Sequence, residues 1–333
     1  MQGGYSVKAY IKALRAFVPP NRVSNEELCK TVDSSDEWIV SHTGVNFRHM
    51  ADENTATSDI AIAASKLALN DAGVDPADLD LIILATATQD YPGFPSTACI
   101  VQDQLGAVKS GAMDISAACT GFIYGLETAK SYILSESAER ILVIGAETLS
   151  KILNWNDRDC VLFGDGGGAA IVTKNDINDE SGIIWSTLRA EGDGSHHLIR
   201  RAGGSRHTFH MHAIKEEDLF VKMNGRQVYT FAVRVLCDTI KVLLENNNLS
   251  LEDIDYVVPH QANLRIIEAA SKRLSIPMEK FYVNIQEYAN TSAGSIPIAL
   301  DEMNKKGMLK RGNKLLTIAF GGGLTYGGNY IVW

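Results

Sequence analysis

The sequence predicts an α/β fold made of two related halves, on three observations. Residues 79–86 (LDLIILAT), 140–146 (RILVIGA) and 168–173 are near-continuous apolar runs, as expected of strands covered on both faces. Amphipathic helical patterns alternate with them, at 57–72, 122–133 and 231–244. The order also occurs twice. Asp78-Leu79-Asp80-Leu81-Ile82-Ile83 matches Asp253-Ile254-Asp255-Tyr256-Val257-Val258, and Ile141-Leu142-Val143-Ile144 matches Leu315-Leu316-Thr317-Ile318 at nearly the same separation. Gly167-Gly168-Ala169-Ala170-Ile171-Val172 and Gly327-Gly328-Asn329-Tyr330-Ile331-Val332 close the two copies. The expected halves are 1–178 and 179–333, joined through a polar stretch at 174–182. Residues 186–226, rich in Gly, Arg and His, fit neither copy and are expected to cover a site as a loop or cap.

Taken in order, residues 5–18 read as a first strand ended by Pro19-Pro20. Asn25-Glu26-Glu27-Leu28 and Ser35-Asp36-Glu37-Trp38 each open a short helix behind capping residues, and His42-Thr43-Gly44-Val45 breaks the second. In the helix at 57–72, Ile60, Ala64, Leu67 and Ala68 form the expected buried side. Residues 112–115 suit a buried strand, followed by a stripe of Phe122, Leu126, Ala129 and Ile133. Cys119 falls at that join, where a helix start offers backbone N–H groups and a positive dipole end that favour the thiolate. Ala117, Ala118 and Gly121 leave room for a substrate there. Gly164-Asp165-Gly166-Gly167-Gly168 lacks the Lys-Ser/Thr of a phosphate loop and reads as a tight turn.

Composition narrows the class. The 333 residues are 45% hydrophobic and 21% charged, enough for a large core. No run of 18 apolar residues predicts a membrane span, and the lysine-dotted start does not read as a secretory signal. Five scattered cysteines point to a reducing cytoplasm rather than a disulfide framework. A net charge of −9 argues against wholesale nucleic-acid binding.

Several motifs sit where strands end. Pro259-His260-Gln261-Ala262-Asn263 closes a strand of the second half. Asn290-Thr291-Ser292-Ala293-Gly294-Ser295 precedes the helix running through Ile298 to Met303. Phe320-Gly321-Gly322-Gly323 offers backbone N–H groups for an oxyanion. Each has a structural reading alone, as a bonded core histidine, a cap or a glycine turn. Together with Cys119 they make the set that acyl transfer needs: a thiolate, donors to a second carbonyl and an oxyanion hole. His207, His210 and His212 have metal-like spacing without accompanying ligands, so no metal is expected. Arg265, Lys272 and Arg273 share one face of the helix after His260, a solvated face or a dock for an acidic partner.

These residues carry a resemblance over essentially the whole chain. Asp36-Glu37-Trp38-Ile39 with Thr43-Gly44, Ala117-Ala118-Cys119-Thr120-Gly121-Phe122, Phe163-Gly164-Asp165-Gly166, and the His260, Asn290 and Phe320 motifs resemble the β-ketoacyl-acyl-carrier-protein synthase III family of the thiolase superfamily. The resemblance implies a thiolase-like doubled α/β fold, layered α-β-α-β-α, in a homodimer. It implies initiation of fatty-acid synthesis by decarboxylative Claisen condensation of a short acyl-CoA, acetyl-CoA above all, with malonyl-ACP. The catalytic set it implies is Cys119, His260 and Asn290, with an oxyanion hole at Cys119 and Gly322 and a supporting aromatic at Phe320. Trp38 and Arg158 would sandwich the CoA adenine, Phe94 would close the partner's acyl pocket, and Arg265, Lys272 and Arg273 would dock the acyl carrier protein. No cofactor and no metal are implied. Asn290, where elongating enzymes have a second His, points to the initiating type.

The chain departs from the family pattern at His42, where arginine is usual, at Thr230, where lysine is frequent, and in the His/Arg-rich stretch at 196–212. These departures keep open a related enzyme of secondary metabolism with another acyl donor or acceptor. A non-catalytic acyl-binding protein is the reading from a different class; it would show a Cys119 no more reactive than the other four cysteines.

Overall fold

The strands and helices follow the apolar pattern closely. In this computed structural model, which describes residues 7–176 and 178–333, the chain begins with β1 (Val7–Phe17), β2 (Arg22–Ser24), α1 (Asn25–Leu28), α2 (Asp36–Thr43), β3 (Phe47–His49) and α3 (Thr57–Ala72). It continues through β4 (Leu81–Ala85), α4 (Thr97–Leu105), β5 (Gly111–Ile115), α5 (Gly121–Leu134), β6 (Arg140–Glu147) and β7 (Gly166–Asp176). Then come β8 (Gly182–Ala190), β9 (Leu198–Arg200), β10 (Val221–Met223), α6 (Gly225–Asn246), β11 (Tyr256–Pro259) and α7 (Leu264–Leu274). The chain closes with α8 (Ile285–Tyr288), α9 (Ser295–Lys305), β12 (Lys314–Gly321) and β13 (Thr325–Val332). Residues 5 and 6 of the expected first strand, and Ile177 in the expected connector, lie outside the described residues.

Two sheets repeat one topology. The first has the order β1-β7-β6-β4-β5, and the second β11-β12-β13-β8. Within them, β4 runs parallel to β6, which is antiparallel to β7, itself antiparallel to β1. In the same way β11 runs parallel to β12, which is antiparallel to β13, itself antiparallel to β8. The sequence repeat is thus a repeat of strand order and direction, with β8 in the place of β1.

The faces of the strands build the layers. On β4, Ile83 points into one core while Ile82 and Leu84 point into another with Ile60, Ala64 and Val101 of α3 and α4. The first of these cores holds Phe122 and Leu126 of α5, Ile296 and Leu300 of α9, and Leu315 and Ile331 of the second sheet. Helices α6 and α7 cover the opposite side of that sheet through Val235, Ile240 and Ile267. The result is an α-β-α-β-α sandwich with α5 and α9 in the middle layer.

Three local expectations change. Leu67 is 38% exposed, because the buried arc of α3 runs through Ala61, Ala64, Ser65 and Ala68 and leaves Leu67 beyond its edge. These small residues let α3 lie close to the sheet. Strand β5 is only partly buried, because it forms an edge of its sheet. The segment expected outside the repeat at 186–226 begins too early and ends too late: residues up to Ala190 belong to β8, and Gly225 already starts α6. Between them a small β9–β10 ribbon forms, with Leu198 opposite Met223.

Candidate active site

The two middle helices start in the same way. A 3-10 turn, Ala118–Thr120, leads into α5, and another, Ser292–Gly294, leads into α9. Ala118 and Ser292 hold matching left-handed backbone, with φ of 45° and 48°. A Cβ on Gly145 of β6 would lie 2.3 Å from the Ala293 carbonyl oxygen, so glycine lets the second turn rest on the first sheet. Both turns are thereby brought to one place.

A cavity of about 230 Å³ opens there, lined by Cys119, His260, Asn290 and Phe320 at its base and by Trp38 and Arg158 further out. Cys119 is 9% exposed. The neighbouring Ser292, on the turn packed against its own, favours the ionised sulfur. Burial nevertheless pushes the thiol up to about 12. Burial thus opposes the thiolate that the helix start favours. Gly321 is pressed against this residue, a Cβ there falling 2.8 Å from Cys119 N and 3.2 Å from Sγ. Gly322 stands one residue further along, in the turn between β12 and β13, and its N–H has no backbone acceptor among the described residues.

His260 follows β11, and its backbone N–H donates to Ile318 O at 2.7 Å, which extends the ladder to β12. Its ring Nδ1 lies 2.7 Å from Ser295 Oγ, and that oxygen also accepts a longer bond of 3.4 Å from the Gln261 backbone N–H. With Ser295 donating to Nδ1, the proton of a neutral ring stands on Nε2. Burial holds the imidazole down to about 3, so the neutral ring persists across the ordinary pH range. Phe320 packs edge-on against it at 5.5 Å. Asn290 Oδ1 accepts from Ser292 N at 2.9 Å, leaving the amide NH₂ as its free donor.

The depressed His260 has a consequence for stability. An unfolded imidazole takes up a proton below about 6.5, while the folded ring does so only near 3. Stability is therefore complete above pH 6.5 and falls as the pH drops through that window. The thermal midpoint should decline from about pH 7 to 4.5, and His260→Gln should flatten the decline. An equally steep decline in His260→Gln would assign it to other groups.

The remaining predicted residues are placed unevenly. Arg158 faces the Trp38 ring at 5.0 Å and donates from Nε to Asp33 O at 3.1 Å. A purine between them needs roughly 7 Å, so the exposed Arg158 has to swing outward to admit one. His42 stacks on Trp38 with centroids 4.3 Å apart, its Nδ1 2.8 Å from Trp38 O. Arg265 and Lys272 border a shallow groove beside His42 and Tyr229, with Glu268 between them. Arg273 does not line that groove and lies near Cys237 of α6. Thr230 is exposed, and its hydroxyl donates to Arg226 O. Phe94 is 87% exposed on its loop, outside the cavity of its own chain. His207 and His212 touch edge to face at 5.1 Å, and among the described residues no group of three His, Cys, Asp or Glu is placed to hold a metal. No helix among the described residues is long and apolar enough to cross a membrane. Sequence reading names Ser292 and Ser295 within the Asn290 motif but misses their places, Ser292 beside the Cys119 turn and Ser295 at His260, because both depend on segments distant in sequence.

A doubled α/β sandwich with a buried cysteine at the start of one central helix, and a neutral histidine and an asparagine amide across a shared cavity, defines a thiolase-fold condensing enzyme, an acyltransferase. Family profiles described as 3-oxoacyl-[acyl-carrier-protein] synthase III and its C-terminal part match residues 113–192 and 244–333. The chain belongs to the β-ketoacyl-[acyl-carrier-protein] synthase III family. The enzyme of that name from Natranaerobius thermophilus is 48% identical over 327 residues, 98% of this chain and 99% of its own. The crystal structure of 3-oxoacyl-[acyl-carrier-protein] synthase III from Aquifex aeolicus is similar with a TM-score of 0.89 and 45% identity, covering 98% of this chain and 100% of that one. The priming β-ketosynthase of the R1128 polyketide biosynthetic pathway is also similar, with a TM-score of 0.89 and 30% identity over 100% of this chain and 98% of that one.

Proposed function

We propose that this chain starts fatty-acid synthesis in the cytoplasm by joining a short acyl-CoA primer, acetyl-CoA above all, to malonyl-ACP. The observation that carries the reading is the single cavity shared by Cys119, His260 and Asn290 and reached past Trp38 and Arg158. Cys119 takes the acyl group, and the N–H groups of Cys119 and Gly322 hold the negative oxygen of the tetrahedral intermediate. CoA leaves, with its adenine between Trp38 and a displaced Arg158. Malonyl-ACP follows, and its thioester oxygen accepts from His260 Nε2–H and the Asn290 amide. As carbon dioxide departs, these two donors stabilise the enolate, and Phe320 keeps the site apolar around the leaving carboxylate. The enolate carbon attacks acyl-Cys119 and releases β-ketoacyl-ACP. The steps need no metal or redox cofactor.

The reading extends to assembly. The halves divide at 178/179, each contributing part of the site. The chain works as a homodimer, with the exposed Phe94 of each copy closing the acyl pocket of the other and favouring a short primer. Arg265 and Lys272, with Arg273 at the margin, attract the acidic carrier protein. Arg265→Glu should raise the KM for malonyl-ACP about tenfold, equivalent to ~1.4 kcal/mol, and leave the acyl-CoA step unchanged. Equal effects on both substrates, read from steady-state kinetics, would refute docking at this residue.

A second reading, priming of a secondary-metabolite pathway with another acyl donor, is favoured by His42 stacked on Trp38 and by the likeness to a polyketide priming enzyme. Intact mass spectrometry after incubation with a panel of acyl-CoAs, followed by malonyl-ACP, separates the two. An acetyl-sized gain on Cys119 that malonyl-ACP discharges supports the first; gain only with longer or branched donors supports the second; no gain with any donor removes both.

A further inference from the structure

The turn that carries Gly322 is a run of three glycines, Gly321, Gly322 and Gly323. Glycine has the most backbone freedom to lose, so an N–H group on such a run keeps one direction only where something fastens it. Gly321 is fastened by its close approach to Cys119 and by its place opposite Thr325 in the β12–β13 ladder. Gly322 is not wedged in that way: a Cβ there would meet Leu198 O at 3.5 Å and Ala118 Cβ at 3.6 Å, both ordinary contacts. What fastens it is a hydrogen bond.

The Thr325 hydroxyl, at the start of β13, donates to Gly322 O at 3.1 Å and to Ala117 O at 3.1 Å. It also lies 2.9 Å from the hydroxyl of Thr120, which is fully buried at the last position of the Cys119 turn. Carbonyl oxygens only accept, so with the Thr325 hydrogen shared between them the Thr120 hydroxyl donates to Thr325 Oγ1. Ala117 O also takes the Thr120 backbone N–H at 3.1 Å, the bond that closes the turn around Cys119. One hydroxyl therefore joins the Cys119 turn to the Gly322 turn. Ala117 O already has a backbone donor and Gly322 is only half-buried, so satisfying buried acceptors is not a sufficient reason for it.

We propose that Thr325, supported by Thr120, is the positioning residue of the oxyanion hole. Its hydroxyl holds the Gly322 turn against the Cys119 turn, so that both N–H groups meet one oxygen without reorienting. The inference rests on Cys119 being the acyl acceptor and on the hole formed with Gly322. In acylation the Cys119 thiol releases its proton to solvent, the sulfur electron pair forms the C–S bond, and the carbonyl π pair moves to oxygen. The two N–H groups receive that charge. Return of the pair breaks the bond to CoA, which leaves as a thiolate and takes up a proton. Thr325 touches none of the reacting atoms and acts through the turn.

The experiment compares two reactions of the same sulfur. Acetylation of Cys119 by acetyl-CoA, followed in single turnover by quenched intact mass spectrometry, passes through a tetrahedral oxyanion. Alkylation by iodoacetamide is a direct displacement and forms none. Thr325→Val keeps the methyl and the volume and removes the hydroxyl. It should lower the maximal acetylation rate about tenfold, leave the half-saturating acetyl-CoA concentration unchanged, and keep alkylation within about twofold. Thr325→Ser should restore acetylation. Thr120→Val should lose less, and the double variant should be no slower than Thr325→Val, since both act on one contact. Unchanged acetylation in Thr325→Val would overturn the proposal. Equal losses of acetylation and alkylation would overturn it too, because they would place the effect on the thiol or the fold. If Thr325→Val does not fold, Thr325→Ala against Thr325→Ser isolates the same hydroxyl without the methyl. If no acyl-CoA acetylates the unaltered chain, the fatty-acid reading fails by itself. Then p-nitrophenyl acetate, whose attack by Cys119 forms the same kind of oxyanion, replaces acetyl-CoA; no acetylation, or no split from alkylation, with that donor would sink the positioning role as well.

Discussion

With Cys119 replaced by alanine, the protein should gain no mass from any acyl-CoA and form no β-ketoacyl product, a loss of more than about 10³-fold. The size of the effect follows from the absence of a substitute. Cys160 and Cys237 are buried away from the cavity, and Cys29 and Cys99 do not line it. The alanine should be tolerated, because the turn's backbone is shaped by Ala118, Gly121 and Gly321 rather than by the sulfur. An intact thermal midpoint with no acylation is the expected pair of results. Condensation surviving in Cys119→Ala would refute covalent catalysis at this residue. Malonyl decarboxylation without acylation is a separate activity of the other half of the site and can persist.

His260→Ala and Asn290→Ala should show the converse. Acetyl transfer to Cys119 should continue, while malonyl-ACP decarboxylation and condensation fall by about 10² to 10³-fold for each donor removed. The reason is when each donor acts. Both point hydrogen-bond donors at a thioester oxygen that becomes strongly negative only in the enolate, so their contribution is largest after acylation is complete. The magnitude also depends on preorganisation. Ser295 holds the His260 ring through Nδ1, and the Ser292 N–H holds the Asn290 amide, so neither side chain has to reorient during the reaction. Because the folded imidazole protonates only near 3, decarboxylation should show no inflection from His260 between about pH 5 and 8. Radiolabelled carbon dioxide release and acyl-enzyme mass, measured on the same samples, separate the half-reactions. Loss of acylation in either variant would show that the roles are wrongly divided.

Much of the architecture was legible because it rests on patterns within single segments. The apolar run at 81–85 can be buried on both faces only inside a covered sheet, and the stripe from Phe122 to Ile133 can only face a core. The matched pairs at Leu81 and Tyr256, and at Ile141 and Leu315, proved to be neighbours in equivalent parallel pairs of the two sheets. Where periodicity faded, so did the reading. Leu67 lies at the edge of its helical arc, where a period of 3.6 does not decide burial, and β5 looks like an inner strand although it closes the sheet. Residues 186–190 read as part of a cap because β8, pairing with β13 rather than with a neighbour in sequence, has no local partner to mark it.

By itself the sequence determined the α/β class, the duplication and the residue types of an acyl-transfer site, since strand burial, helix amphipathicity and a cysteine at a helix start are properties of short segments. Tertiary structure alone decided the protonation of that site. Cys119 and Ser292, 173 positions apart, lie on turns packed against each other, and His260 is neutral because the surrounding core excludes water from it. Proton affinity depends on solvation and on partners brought from other parts of the chain, and neither is present until the two halves have packed together.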